Sequence, residues 1–192
     1  MINGFESNTN TIGHGVPQGS VLGPILFLIY INDLHRCIKY CTTYHFADDT
    51  NLLNIIKDYK TLQRRVNYDL FALHKWLTAN KISLNDGKTE LIYFRTRGMA
   101  PVLNIKLHGK TLRPSKTVKY LGVYISSNKN MAVDKNWDEA IEKLQRNFNI
   151  WRQRNLSLFG KITIVKCLGV SQFLLKASVT VPHENTVKKK KG

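Results

Sequence analysis

The apolar positions of the chain follow helical spacing in three segments. From Ser20 onward, a proline at position 24 precedes an apolar run that ends at Leu34, which predicts a mostly buried helix. Between residues 59 and 80, apolar residues recur every three or four positions, as on one face of an amphipathic helix. That stripe consists of Leu62, Val66, Leu70, Leu73 and Leu77. Beyond Asn130 the same spacing predicts two further helices, the second from about residue 157 to residue 177.

Shorter segments between these helices carry strand patterns. In TTYHFADDTNLL, β-branched, aromatic and aliphatic residues surround a central Asp48-Asp49 pair, which predicts a hairpin with both acids at its tip. The runs KISLN and TELIYF flank Asp86-Gly87-Lys88 and predict a second hairpin, because glycine readily adopts the positive φ of a tight turn. Further strands are predicted in VLNIKLHGKTL and TVKYLGVYIS. This order indicates an α+β domain followed by a helical one, with the division near residue 130.

The charge of the chain is unevenly distributed. Lysine and arginine number 29 against 13 acidic residues, which gives a formal net charge of +16. Residues 1–56 contain two basic and four acidic side chains, a net charge of −2, so the remainder of the chain carries +18. A protein that binds only neutral small molecules does not need such a charge. The composition therefore indicates a polyanionic partner.

Cysteine content and hydropathy argue against two further classes of protein. Three cysteines are too few for a disulfide framework, which favours a reducing compartment, and the N-terminal residues lack a secretory signal. The longest strongly apolar run, Ile25 to Ile31, is much shorter than the roughly 20 residues of a membrane span. We therefore expect an intracellular protein, in the nucleus or the cytoplasm, with no membrane partner. The sequence does not indicate the oligomeric state.

Two segments contain candidate chemistry. The segment GVPQGS, residues 15–20, has two glycines and a proline ahead of a helix, so its backbone could approach a planar or phosphorylated ligand. In Phe46-Ala47-Asp48-Asp49, two adjacent carboxylates on a tight turn repel each other unless a divalent cation binds between them. On these residues alone, two simpler interpretations remain. The first segment could be only a turn and a helix cap, and the second only a solvated turn.

Taken in order, the motifs resemble the reverse transcriptase domain of non-LTR retrotransposons in the LINE and jockey-like group. The resemblance rests on GVPQGSVLGPILFLIYINDL, FADDTNLL, SLNDGKTELIYF, VKYLGVYIS and RNLSLFGKITIVK, and it covers nearly the whole chain. It implies part of a polymerase right hand, with a partial palm in residues 1–130 and a helical, thumb-like subdomain with a basic tail in residues 131–192. It also implies RNA-directed DNA synthesis from deoxynucleoside triphosphates on an RNA template and a DNA primer. The implied cofactor is Mg²⁺, or Mn²⁺ in its place.

The resemblance assigns roles to individual residues. Asp48 would bind both catalytic metal ions with Asp49 in support, and Lys88 would neutralise or protonate the departing pyrophosphate, unless it is only a solvated turn residue. Leu121 and Gly122 would belong to the primer grip, where a close backbone contact explains a glycine in a strand. The residues expected to contact the template base or the incoming nucleotide, or to lie under the primer end, are Pro17, Gln18, Gly19, Phe46 and Ala47.

One catalytic element of the family has no counterpart in the sequence. Such polymerases carry a third catalytic aspartate on a strand well upstream of GVPQGS, whereas Glu6 is the only acid that precedes this segment here. We expect that the fingers and the first catalytic strand are missing as well, and that the chain has little or no activity by itself. A non-catalytic nucleic-acid-binding remnant is the alternative function. An RNA-copying viral polymerase or a telomerase fits FADD and LFGKITIVK less well.

The remaining candidates are metal ligands and basic residues. His35, Cys37, Cys41 and His45 are of types that bind zinc, but their spacing matches no familiar zinc module, and an ordinary connection is the preferred interpretation. The other histidines are interpreted as isolated surface or core residues: His14, His74, His108 and His183. Five basic residues on the late helices are interpreted as a phosphate track beside a duplex, with a solvated face as the alternative: Arg146, Arg152, Arg154, Lys161 and Lys166.

Overall fold

The computed structural model describes Gly15, residues 19–95 and residues 102–183. The chain divides into two compact units. The first unit contains the chain up to Asp86 together with Asn104–Thr111, and the second contains Gly87–Leu103 and the chain from Leu112 onward. The expected assignment of residues 1–130 to a palm and residues 131–192 to a thumb stays a prediction.

The first helix of the first unit, α1, spans Gly23–Ile31 and is followed by a short 3₁₀ helix at Leu34–Cys37. The predicted helix is confirmed, but the expectation that it is mostly buried is wrong. Only Gly23 and Ile31 of α1 are buried, and its apolar side chains between these two ends are largely exposed. The sequence pattern shows that the helix is apolar on all sides, but it does not show which other elements cover those sides.

The predicted acidic hairpin is confirmed. Strand β1, Thr42–Phe46, pairs antiparallel with strand β2, Asp49–Leu53, in a register that places Phe46 opposite Asp49. Ala47 and Asp48 form the two-residue turn between the strands. Both acids thus lie at or next to the tip of the hairpin, as the sequence predicts.

The long amphipathic helix α2 spans Tyr59–Ala79. It begins after Asp58, whose carboxylate accepts hydrogen bonds from two backbone N–H groups of the first turn. Of the predicted stripe, Leu73 and Leu77 are buried and form a core cluster with Leu34. The other three residues of the stripe are half-buried. The periodicity therefore identified both the helix and the face that forms the core of this unit.

The hairpin predicted around Asp86-Gly87-Lys88 is wrong, although a turn does occur at these three residues. The residues before the turn form no strand, and after it only Leu91 makes an isolated parallel bridge, to Pro114. The N–H of Ser115 donates to the Leu91 carbonyl at 2.7 Å, and the pairing does not extend into a ladder. A turn signal between two apolar runs is thus not sufficient when the runs find other contacts.

The strands predicted in the next two segments are present, and within each segment they form a pair. Strand β3, Ile105–Leu107, pairs with β4, Lys110–Leu112. In the second unit, β5, Thr117–Tyr120, pairs antiparallel with β6, Val123–Ser126. Each pair is a separate two-stranded sheet.

The predicted late helices are also present in the second unit. Helix α3 spans Lys129–Arg152, and helices α4, Leu158–Ile164, and α5, Ser171–Val179, are joined by a π-helical turn at Val165–Val170. Helix α3 packs on β6 and on α5, where the ring of Trp137 stacks on that of Phe173 with centroids 5.8 Å apart. The core of the unit lies on this side of α3.

The continuous helix Leu158–Val179 is the one helix of the described residues that is long and apolar enough to cross a membrane. We expected no such segment, because the longest strongly apolar run of the sequence is much shorter. The finding rests on length and composition only, and helices of soluble proteins meet the same criterion. Only 6% of its apolar window is buried, so most of this helix presents apolar side chains on its surface.

Candidate functional site

The acidic pair lies at the exposed tip of the β1–β2 hairpin. Asp48 is in the turn and Asp49 is the first residue of β2. The turn is sharp because Ala47 adopts a positive φ of 52°, which is uncommon for a residue with a side chain. Both acids and Phe46 are exposed to solvent. A ligand that approaches the hairpin from its tip therefore meets two carboxylates and one aromatic ring.

A buried carboxylate on α2 fixes the chain just before this hairpin. Asp69 is fully buried and accepts hydrogen bonds from the backbone N–H groups of Lys39, Tyr40 and Cys41 at 2.7–2.9 Å. Sequence analysis missed this residue. Its position, three residues after Val66 and four before Leu73, places an acid in register with the apolar stripe, and a buried acid needs partners. This position on the apolar stripe was the signal from which the sequence could have identified Asp69.

The glycine-rich segment is described only in part. Gly15 and Gly19 have positive φ angles of 86° and 84°, so an L-residue would be strained at either position. A Cβ atom at either glycine would meet nothing within 4 Å, so conformation rather than packing favours glycine there. Pro17 and Gln18, which we expect to contact template base and nucleotide, lie outside the described residues.

The expected primer-grip residues form the turn between β5 and β6. Leu121 and Gly122 have positive φ angles of 46° and 82°. The expectation of a glycine within a strand is therefore wrong, because this glycine meets the conformational demand of a tight turn. A Cβ atom on Gly122 would also lie 3.4 Å from the side chain of Leu175.

A buried polar cluster of the second unit holds this turn. The ammonium of Lys176, a residue only 6% exposed, donates hydrogen bonds to the Gly122 carbonyl, to Asn136 Oδ1 at 3.2 Å and to Glu139 Oε2 at 3.3 Å. Asn136 is fully buried and bonds both the N–H and the C=O of Tyr124, each at 2.8 Å. Neither residue was singled out from the sequence, because their partners are distant along the chain.

Glu139 connects this cluster to the surface. Its carboxylate pairs with Lys119 on one side and with Lys176 on the other. Partial burial raises the pKa of Glu139, but the hydrogen bonds from the two lysines outweigh it and hold the pKa below its ordinary value. Glu139 is therefore ionised near neutral pH and balances the buried ammonium.

The five basic residues of the late helices are all exposed, and the structure brings three of them together. Arg152, Arg154 and Lys161 line one cavity of about 520 Å³ between the end of α3 and the start of α4. Arg146 and Lys166 do not line it. Lys88 is exposed in the turn after Asp86 and belongs to the other unit from the acidic hairpin, so its role at the pyrophosphate stays a prediction.

The four residues considered as zinc ligands have separate partners. His35 Nδ1 lies 2.8 Å from the Asn32 carbonyl, Cys37 donates to Leu34, and His45 contacts Thr50. Cys41 is half-buried, and burial together with Asp69 raises its pKa to about 12. Within residues 19–95 and 102–183, no group of three or more histidines, cysteines and acids is placed to hold a metal ion.

Two histidines that we interpreted as isolated are in fact paired. The rings of His74 and His108 lie 4.1 Å apart between centroids, and His108 Nδ1 is 2.8 Å from an Asp86 carboxylate oxygen. The contact joins α2 to the turn between β3 and β4. His108 has a positive φ of 49° in that turn.

Comparison with known protein families identifies the chain. The family described as "Reverse transcriptase (RNA-dependent DNA polymerase)" matches residues 1–125. The chain belongs to the reverse transcriptase family. The matched region of this reverse transcriptase domain includes the glycine-rich segment, the acidic hairpin and the β5–β6 turn.

Individual relatives come from mobile elements of insects. The chain is 30% identical over 132 residues, 64% of its length, to the "RNA-directed DNA polymerase from mobile element jockey" of Drosophila melanogaster. It is 28% identical over 183 residues, 86% of its length, to the jockey polymerase of Drosophila funebris. These alignments cover 14% and 19% of the two relatives, so the chain spans under a fifth of either. The resemblance to the reverse transcriptase domain of non-LTR retrotransposons is confirmed.

A third relative extends the same group. The chain is 25% identical over 115 residues, 57% of its length, to the "Retrovirus-related Pol polyprotein from type-1 retrotransposable element R1 2" of Nasonia vitripennis, of which the alignment covers 27%. No solved structure matches the chain.

Proposed function

We propose that the chain supplies part of the site at which an RNA-directed DNA polymerase joins deoxynucleotides to a DNA primer on an RNA template. The observation that carries the proposal is the acidic hairpin, because Asp48 and Asp49 project from a tight turn between two paired strands. Such a turn holds two carboxylates where a primer end and a triphosphate can reach them. Family membership and the similarity to jockey polymerases support this assignment.

The carboxylates of Asp48 and Asp49 are suitable donors for Mg²⁺ or Mn²⁺. Magnesium in proteins commonly takes one or two carboxylates and completes its shell with water and substrate phosphates, so the pair fits as part of a ligand set. Bound there, the metal would lower the charge on the triphosphate and favour ionisation of the primer hydroxyl. In the proposed reaction the primer 3′ oxygen forms a bond to the α-phosphorus, and pyrophosphate leaves.

In this proposal, the other candidate residues of the chain contribute by positioning the substrates and by their charge. Phe46 and Ala47 would form the floor under the primer end, Gly19 would allow close approach of the nucleotide, and Lys88 would neutralise the departing pyrophosphate. The β5–β6 turn would contact the primer backbone through Leu121 and Gly122. The exposed basic residues of α3 and α4 would follow the phosphates of the duplex.

The alternative function is non-catalytic binding of nucleic acid. It is favoured by the charge distribution, in which residues 57–192 carry +18. In this alternative the chain binds nucleic acid but does not extend a primer. Metal affinity without substrate is then weak, and low-micromolar affinity for Mg²⁺ in calorimetry would contradict this account.

Primer extension distinguishes the two functions. An RNA template, a DNA primer, deoxynucleotides and Mg²⁺ are incubated with the chain and with Asp48→Asn, and Asp138→Asn, an exposed acid on α3, is the matched control. The polymerase proposal expects that any incorporation disappears in Asp48→Asn and persists in Asp138→Asn. Absence of incorporation in all three proteins, together with duplex binding that weakens as salt rises, favours the alternative.

A further inference from the structure

The cavity between α3 and α4, which we call the α3–α4 pocket, combines basic side chains with an aromatic wall. Trp151 and Phe148 line it from the end of α3, and both rings are half-buried. Arg152, Arg154 and Lys161 also line it and are exposed. The pocket thus combines half-buried aromatic side chains with exposed, positively charged ones.

The charge at the pocket is not balanced locally. No acidic residue is among the described residues that line it. The guanidinium of Arg154 lies 5.8 Å from the centre of the Trp151 ring, close enough for a cation–π contact that keeps the arginine beside the indole. A ligand that carries negative charge next to a flat ring satisfies both features at once.

The size of the pocket is that of a small-molecule site. Its volume of about 520 Å³ falls within the roughly 300–1,000 Å³ of ordinary ligand pockets. A duplex is too wide to enter such a cavity and its bases already stack on one another. A single unpaired nucleotide has one flat base, which can stack on an aromatic ring, and one phosphate, which arginine or lysine can bind.

We propose that the α3–α4 pocket binds one unpaired nucleotide of a single-stranded nucleic acid, with the base against Trp151 and the phosphate between Arg154 and Lys161. The site rests on the proposed function only in so far as both require a nucleic-acid partner. It differs from the phosphate track along the duplex, which needs charge but no aromatic pocket. A nucleic acid bound in the pocket is therefore unpaired at the point where it lies beside α3 and α4.

Fluorescence titration in EDTA tests the proposal without any catalytic step. The probe is an oligoadenylate of about 10 nucleotides, which is within the site sizes of single-strand binding proteins. Trp151→Leu should weaken its binding about 5- to 150-fold, the range that loss of one base–aromatic stack produces. Phe159→Leu is the matched control, because Phe159 is exposed on α4 and does not line the pocket.

Variants that remove one positive charge test the phosphate contact. Lys161→Ala should reduce the slope of log K against log salt by about 0.7 for the single strand, the value for one neutralised phosphate. Lys143→Ala, at an exposed position of α3 outside the pocket, should leave the single-strand slope unchanged. Duplex binding by Trp151→Leu should stay within a factor of two of the original chain, since paired bases are not available for stacking.

The outcomes separate the pocket from the polymerase proposal. Equal single-strand affinity in Trp151→Leu and the original chain would overturn the pocket, whatever the primer-extension result. If circular dichroism shows that Trp151→Leu is unfolded, Trp151→Phe replaces it. A fall in single-strand affinity with unchanged duplex affinity then supports stacking on the larger indole ring, and no change in either affinity overturns the pocket. Adenosine monophosphate that binds as tightly as the oligoadenylate would overturn the assignment to a strand and leave a free-nucleotide site.

Discussion

Asn136 makes the contacts that tie α3 to β6, and its removal should destabilise the second unit. In Asn136→Leu the side chain keeps its volume but loses its hydrogen bonds. The N–H and the C=O of Tyr124 then have no partner on α3. An unsatisfied buried polar group costs about 1–3 kcal/mol, so two such groups give about 2–6 kcal/mol.

The structure narrows this range. Tyr124 is half-buried, so water can reach its unpaired backbone N–H and C=O groups in part. The leucine side chain also gains apolar burial, because position 136 is fully buried. Both effects reduce the loss, and we expect a decrease in unfolding free energy of about 2–4 kcal/mol. Domains are commonly stable by only 5–15 kcal/mol, roughly, so a change of this size is readily measured.

Urea unfolding followed by tryptophan fluorescence measures the change. A Trp76→Phe background confines the signal to Trp137 and Trp151, which both belong to the second unit. Asn149→Leu, at an exposed position of the same helix, is the control and should change stability by less than about 0.5 kcal/mol. A loss below about 1 kcal/mol in Asn136→Leu would refute the reasoning that these bonds fasten the helix to the strand.

Three further predictions concern other buried or titrating groups. Asp69→Asn replaces one accepting oxygen with a donor that faces backbone N–H groups, so thermal unfolding should reveal a loss of about 2–4 kcal/mol in the first unit. Because the pKa of Glu139 is lowered in the folded state, the stability it contributes is full above its ordinary value and is lost as pH falls through the folded value. Melting temperatures between about pH 5 and pH 3 should therefore fall less in Glu139→Gln than in the original chain. Maleimide at pH 8 should label exposed Cys167 well before Cys41, whose pKa is raised to about 12, and equal labelling rates would contradict the burial of Cys41.

The parts of the fold that sequence predicted correctly are those determined by neighbours along the chain. The acidic hairpin follows from β-branched and aromatic residues on both sides of Asp48-Asp49, and α2 follows from the spacing of its leucines. Each pattern repeats within one element, so no knowledge of distant contacts is needed. The position of the candidate acids at a turn was therefore available from sequence.

The features that sequence missed depend on distant partners. Ile82 packs on the core of the first unit and Leu91 bridges Pro114, so the two apolar runs around Asp86-Gly87-Lys88 do not pair with each other. Likewise α1 is apolar on all sides, but the described residues of its unit cover only its ends. Local patterns carry no information about which elements pack against each other. The predictions that depended on such packing were therefore wrong.

Each unit uses one buried charged side chain to hold the hairpin that the proposed function requires. Asp69 binds three successive backbone N–H groups just before β1, and Lys176 binds the carbonyl of Gly122 between β5 and β6. Burial of a charge costs free energy, and apolar residues of similar volume often stabilise a core equally well. A core of apolar residues alone, however, cannot fix a turn, because apolar contacts have no direction. Directed bonds from a helix to the backbone fix the start of the β1–β2 hairpin in one unit and the β5–β6 turn in the other, and such fixed positions are what the proposed contact with a primer end demands.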